Sequence, residues 1–122
     1  MTITSTQAVS SAPRSQTASP LDSSFDQWFA QGEDLANQGD YDRALRCFEE
    51  AAILNPNHSE TLIYQAVCLI HLEQPQRALA VADQVLAIAP HHPQGWLYRG
   101  VALHRLGRYK ESYACYQRVQ LS

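Results

Sequence analysis

The stretch WFAQGEDLANQGDYDRALRCFEEAAILNP, residues 28–56, has a counterpart in WLYRGVALHRLGRYKESYACYQRV, residues 96–119, sixty-eight positions later. A fainter copy begins midway, at Leu62. Trp28, Leu62 and Trp96 head three lines; Gly32, Ala66 and Gly100 follow, then Leu35, Leu69 and Leu103. Further along stand Ala44, Ala78 and Ser112, then Phe48, Ala82 and Tyr116, then Ala51, Val85 and Val119, with Pro56 and Pro90 closing the first two lines. The step is 34 residues throughout, a period that signals stacked supersecondary units.

Within each line the apolar and small residues fall at i, i+4 and i+7, one face of a helix, and the second half repeats that spacing from Ala44, Ala78 and Ser112. Each unit therefore reads as a pair of helices. Gly39-Asp40, Glu73 to Pro75 and Gly107-Arg108 read as the turns between them, with Asp40 an N-cap and Pro75 at a first helical position, where its missing N–H costs nothing. Pro56 and Pro90 stop the second helices. A mid-helix glycine costs about 0.5–1 kcal/mol relative to alanine, so Gly32 and Gly100 need compensation. It is expected where the first helix crosses its partner at Ala44 and Ser112 and the backbones approach. Trp28 and Trp96 are expected to cover that seam as core residues.

These columns resemble the tetratricopeptide repeat, whose 34-residue pattern runs W-x-x-L-G-x-x-Y, A-x-x-x-F, A, P. The likeness covers residues 25–122. It implies an all-α, right-handed superhelical array of three helix-turn-helix repeats, six helices in all, at 25–58, 59–92 and 93–122, the last incomplete and without a capping helix. Polar Gln31, Gln65 and Arg99 stand where Leu is usual, as in a bacterial-type variant of the motif. They are expected near the contact between successive first helices, where they must hydrogen-bond or reach water.

Composition fits one small domain of 122 residues, 45% hydrophobic, about the minimum for a stacked core. Residues 1–24 are Ser, Thr, Ala, Gln and Pro without apolar periodicity and read as a disordered tail; Ser24 with Gln27 resembles a capping box and is expected to open the first helix. The tail lacks the basic start and apolar run of a secretory signal. No segment has the roughly 20 apolar residues of a membrane span. Cys47, Cys68 and Cys115 are odd in number and form no C-x-x-C pair, which argues against a disulfide framework and suits a reducing, cytoplasmic setting.

No H-E-x-x-H, phosphate-cradling glycine loop or G-x-S-x-G is present, so catalysis and a cofactor are not expected. His58 and His92 hold equivalent places about one helix-packing step of 8–10 Å or more apart, too far for one metal ion. They and His91 read as solvated turn residues.

Function is then expected in a surface. The resemblance implies a concave groove lined by first helices: Phe29 and Glu33 from the first unit; Ile63, Tyr64, Val67 and His71 from the second; Leu97, Tyr98, Val101, His104 and Arg105 from the third. Phe29, Tyr64 and Tyr98 are the expected exposed anchors, while Ile63, Val67, Leu97 and Val101 have a competing role in packing between first helices. The expected partner is a protein or peptide with apolar anchors. Some members of the family hold the acidic C-terminus of chaperones with Lys, Asn and Arg at places that here carry Phe29, Glu33, Tyr64, Gln94 and Tyr98, so that partner is not expected. Nucleic acid is not expected either, because the chain carries a net charge of −3 and its cations are few and local.

Charge is unevenly spread: residues 21–58 carry two basic and eight acidic groups, 59–92 one and three, and 93–122 five and one, giving −6, −2 and +4. Such polarity orients a bipolar ligand or favours head-to-tail self-association. A further alternative is a targeting or regulatory module of a larger enzyme.

Overall fold

A computed structural model describes residues 20–121 of the chain. Six helices are found among the described residues, with no strand: α1 (Pro20–Asn37), α2 (Tyr41–Leu54), α3 (Ser59–His71), α4 (Pro75–Ile88), α5 (Pro93–Arg105) and α6 (Tyr109–Leu121). Each packs against the next in order, and α3 also touches α5. This is the connectivity of a helical-repeat array, in which every unit leans on its neighbours.

The punctuation follows local chemistry. Asp40 caps α2 by accepting from the Arg43 N–H at 3.3 Å, and Pro75 opens α4. Asn55 and Ala89 adopt φ of −143° and −136°, since the prolines that follow exclude the α region from the preceding residue. The turns after α1, α3 and α5 share one form. Gly39, Glu73 and Gly107 sit at φ of 84°, 62° and 81°, and Asp40, Gln74 and Arg108 donate back to the carbonyls of Leu35, Leu69 and Leu103. That is the Schellman pattern, which requires a left-handed residue. The middle turn builds it without glycine.

Two expectations change. Helix α1 begins at Pro20, not at the Ser24 capping box; proline's fixed φ suits a first helical position and lets the helix start earlier. The rest of the expected tail, residues 1–19, lies outside the described residues. The mid-helix glycines are explained by rings more than by backbones. A Cβ on Gly32 would lie 2.7 Å from Phe48 Cε1, and one on Gly100 2.5 Å from Tyr116 Cε1. Where the second unit has Ala66, the facing residue shrinks to Ala82, so a methyl stands only where no ring fills the space opposite it. Ser112 adds a bond from its hydroxyl to the Gly100 carbonyl at 2.7 Å.

One hydrophobic cluster runs through all three helix pairs, including Phe48, Leu69, Val85, Leu103 and Cys115. Burial pushes the Cys68 thiol up to about 12 and raises Cys47 as well, against the pull of Arg43 and Arg46. Trp28 does not join this core. It is 36% exposed, beside a pocket of about 280 Å³ lined in part by Leu35 and Cys47. Trp96 is half-buried, its Nε1–H donating to the Pro90 carbonyl at 2.8 Å and its ring covered by Arg118 at 4.3 Å. The difference is positional: α4 precedes Trp96, whereas no described helix precedes Trp28.

Candidate functional site: the first-helix face

Helices α1, α3 and α5 bring the expected groove residues into two unlike groups. At the α1–α3 end, Phe29 meets Phe48 and Tyr64 edge-on at 5.7 and 5.5 Å, and Tyr64 stacks flat on Phe48 at 4.6 Å. The Tyr64 hydroxyl donates to Glu33 Oε2 at 2.9 Å. Burial, then this bond and the Glu33 charge, push the Tyr64 phenol up to about 12. Phe29 and Tyr64 are thus parts of a packed platform and not free anchors, because Phe48 gives their rings a partner.

Ile63 is only 5% exposed and belongs to the core, so it offers no surface to a partner. Val67 is half-buried against that core. His71 is exposed but lies flat on Tyr41 at 4.0 Å, with an interplanar angle of 2°.

At the α5 end, Leu97, Tyr98 and Val101 are half-buried, Tyr98 and Val101 against the core, and no ring pair or side-chain hydrogen bond engages Tyr98 among the described residues. Exposed His104 meets Tyr109 edge-on at 4.9 Å, and exposed Arg105 comes within 3.9 Å of Glu73. Apolar surface here lies between basic and aromatic groups.

Gln65 and Arg99 pair with second helices rather than with neighbouring first helices. Gln65 Nε2 donates to the buried Phe48 carbonyl at 3.3 Å. Arg99 donates to Asp83 at 2.8 Å and to Cys115 Sγ at 3.1 Å; burial opposes its charge, but these two partners outweigh it and raise its pKa. Gln31 is exposed. The histidines also gain a role that residue-type reasoning missed. His58 and His92 cap α3 and α5, their Nδ1 atoms accepting from the Thr61 and Gly95 N–H groups at 3.2 and 3.3 Å. Their recurrence immediately before helix starts at Ser59 and Pro93 was the available signal.

The tetratricopeptide repeat family profile matches residues 29–93 and 72–120, the same helix pairs that build this face. The chain belongs to the tetratricopeptide repeat family. Among curated proteins it is similar to the outer dynein arm-docking complex subunit 4 of Xenopus laevis, 28% identical over 96 residues, which are 79% of this chain but 18% of that protein. The chain therefore spans less than a fifth of that relative's length. Among solved structures, the Arabidopsis OM64 TPR domain superposes with a TM-score of 0.78 at 22% identity, covering 83% of each chain. The second tetratricopeptide domain of Spaghetti (RPAP3), bound to the HSP90 peptide SRMEEVD, gives 0.76 at 18% identity, covering 80% of this chain and 90% of that one.

These likenesses establish a tetratricopeptide helical array. A neighbour holding an acidic chaperone peptide gives no support to the expected exclusion of such partners, which rests on the side chains at Phe29, Glu33, Tyr64, Gln94 and Tyr98 alone. Among the described residues no helix is long and apolar enough to cross a membrane.

Proposed function

We propose that this tetratricopeptide chain is a non-catalytic protein-interaction scaffold. Its first helices, on the concave side that the family likeness implies, capture a peptide or helix through apolar anchors within a larger assembly. The observation that carries this reading is Tyr98, half-buried against the core with no ring pair or side-chain hydrogen bond among the described residues, one period on from the Tyr64 that Phe29, Phe48 and Glu33 engage. An aromatic side chain with apolar neighbours and a polar rim is the usual anatomy of an anchor site. His71, His104 and Arg105 form that rim, and Val67 floors the passage between the two groups. Glu33 places a carboxylate where an acidic peptide would need a cation, which favours an apolar-anchored partner over an acidic terminus.

A peptide library displayed against the full chain tests this, with the selected peptide titrated by calorimetry. Tyr98→Ala is expected to weaken capture about tenfold or more while leaving the circular dichroism spectrum unchanged. The reading fails if Tyr98→Ala and Val101→Glu bind as wild type does, or if SRMEEVD binds as tightly as the best apolar peptide.

The short share of the curated relative that this chain spans favours a second reading, a targeting or regulatory module within a longer protein. Sequencing the native transcript to its stop codon decides between a free-standing scaffold and such a module.

A further inference from the structure

The two interior junctions of the array share one register, closed by different bonds. Between α2 and α3, the Tyr41 ring lies on His71 and Gln65 donates to the Phe48 carbonyl. Between α4 and α5, Arg99 donates to Asp83 and Trp96 to the Pro90 carbonyl. Leu45 and Leu79, equivalent residues of α2 and α4, are buried. One period further on, α6 carries Tyr109 and Tyr113 at the places of Tyr41 and Leu45, and they are 51% and 55% exposed. At the other end, α1 carries Trp28 and Gln31 at the places of Trp96 and Gln65, both exposed beside the pocket of about 280 Å³. Among the described residues, each end of the array thus presents one half of such a junction.

We propose that the occupant of each end is a second copy of this chain, α1 of one docking on α6 of the next, with the step used between interior pairs. Residue identity supports the match: Trp28 repeats Trp96, and Gln31 repeats Gln65, whose amide already holds a second-helix carbonyl. Gln31 then donates to the Tyr116 carbonyl of the neighbouring copy. Charge supports it as well. Helix α1 has four carboxylates and no cation, whereas residues 93–122 have five cations and one carboxylate. Arg43 and Arg46, which line the Trp28 pocket, are held by Asp40 and Asp42 at 3.3 and 3.2 Å, and Glu111 is held by Arg108 at 2.8 Å. With the other engaged groups set aside as well, Arg99 on Asp83, Arg105 near Glu73, Arg118 over Trp96 and Glu33 bound by Tyr64, the exposed Asp26 and Asp34 of α1 face the exposed Lys110 of α6. Such a contact is heterologous, so it propagates unless a ring closes. It leaves the Tyr98 face free and does not depend on what that face binds.

Sedimentation velocity of the full chain tests this over a concentration series at about 20 mM and about 500 mM salt, where screening lengths differ several-fold. The expected result is a mass that climbs from monomer with concentration at low salt and falls back at high salt. Trp28→Asp spoils the head and Tyr113→Asp the tail; each is expected to remain monomeric alone, with an unchanged helical spectrum. Mixed, the two variants are expected to form a one-to-one dimer, because each retains the face that the other lacks. A monomer under all conditions overturns the proposal. So does assembly that survives either substitution, or a mixture that stays monomeric.

Discussion

Tyr64 and Tyr98 stand 34 residues apart at equivalent places, yet one is locked and the other is not. Around Tyr64 are Phe48 beneath the ring, Phe29 at its edge and Glu33 at the hydroxyl. One period on, those places hold Ala82, Ile63 and Val67, which supply neither a ring nor an acceptor. The repeat therefore fixes where a side chain stands, and the neighbours inherited from the previous unit decide whether it is structural or available. The unlike surroundings of Tyr64 and Tyr98 follow from three substitutions within a constant frame.

The strongest way to break this contrast is to remove its keystone. Phe48 is fully buried and supports both Tyr64 and Phe29, so Phe48→Ala is expected to cost about 3–5 kcal/mol in urea unfolding. That is a large part of the roughly 5–15 kcal/mol typical of a domain. A loss below about 1 kcal/mol would mean that the platform collapses to refill the space and that Tyr64 is not locked by it.

The next test transplants the middle unit into the first. Gly32→Ala alone drives a methyl to within 2.7 Å of the Phe48 ring and is expected to cost about 1–3 kcal/mol from overpacking. In the double variant Gly32→Ala, Phe48→Ala, which copies Ala66 with Ala82, the two losses should fall short of their sum by about 1 kcal/mol or more. Strict additivity in the cycle would show that these columns are not coupled and that volume complementarity does not explain the glycines.

The helix pairs and their turns were legible because apolar spacing, glycine, proline and cap residues all act locally. The same spacing could not say what lies across each position. Trp28 and Trp96 are one residue type at one place, but among the described residues only Trp96 has a preceding helix to cover it. Gln65 and Arg99 look like solvent-facing breaks in the pattern until the Phe48 carbonyl and Asp83 are brought beside them. For the candidate site, the likeness to the family pointed to the face of the first helices. It could not separate Ile63, withdrawn into the core, from Tyr98, because that difference depends on contacts between units.

The turns offer a gain instead of a loss. Glu73 holds φ 62° where Gly39 and Gly107 serve in the other two pairs, and a side chain in that region costs about 1–2 kcal/mol. Part of this is offset by glycine's larger freedom in the unfolded chain. Glu73→Gly is accordingly expected to raise stability by about 1 kcal/mol, even though it removes the exposed 3.9 Å pairing with Arg105, since such surface pairs contribute little. A higher urea midpoint checks this. An unchanged or lower one would show that the middle turn is adapted to glutamate.

The finest discrimination lies in the two hydroxyls. Tyr64→Phe deletes the bond to Glu33 and is expected to cost about 0.5–1 kcal/mol, whereas Tyr98→Phe should be neutral, because no such bond is present. The pH dependence carries the same signature. Folding raises the Tyr64 phenol from an ordinary value of about 10 to about 12, and so favours its protonated form. The stabilisation is therefore complete below about pH 10 and is lost as pH climbs toward 12. Absorbance titration near 295 nm should show that the component removed by Tyr64→Phe ionises above the ordinary phenol value of about 10. If that component ionises near pH 10 and both substitutions cost the same, the surroundings of Tyr64 and Tyr98 are not distinct, and Tyr98 loses its claim as the proposed anchor.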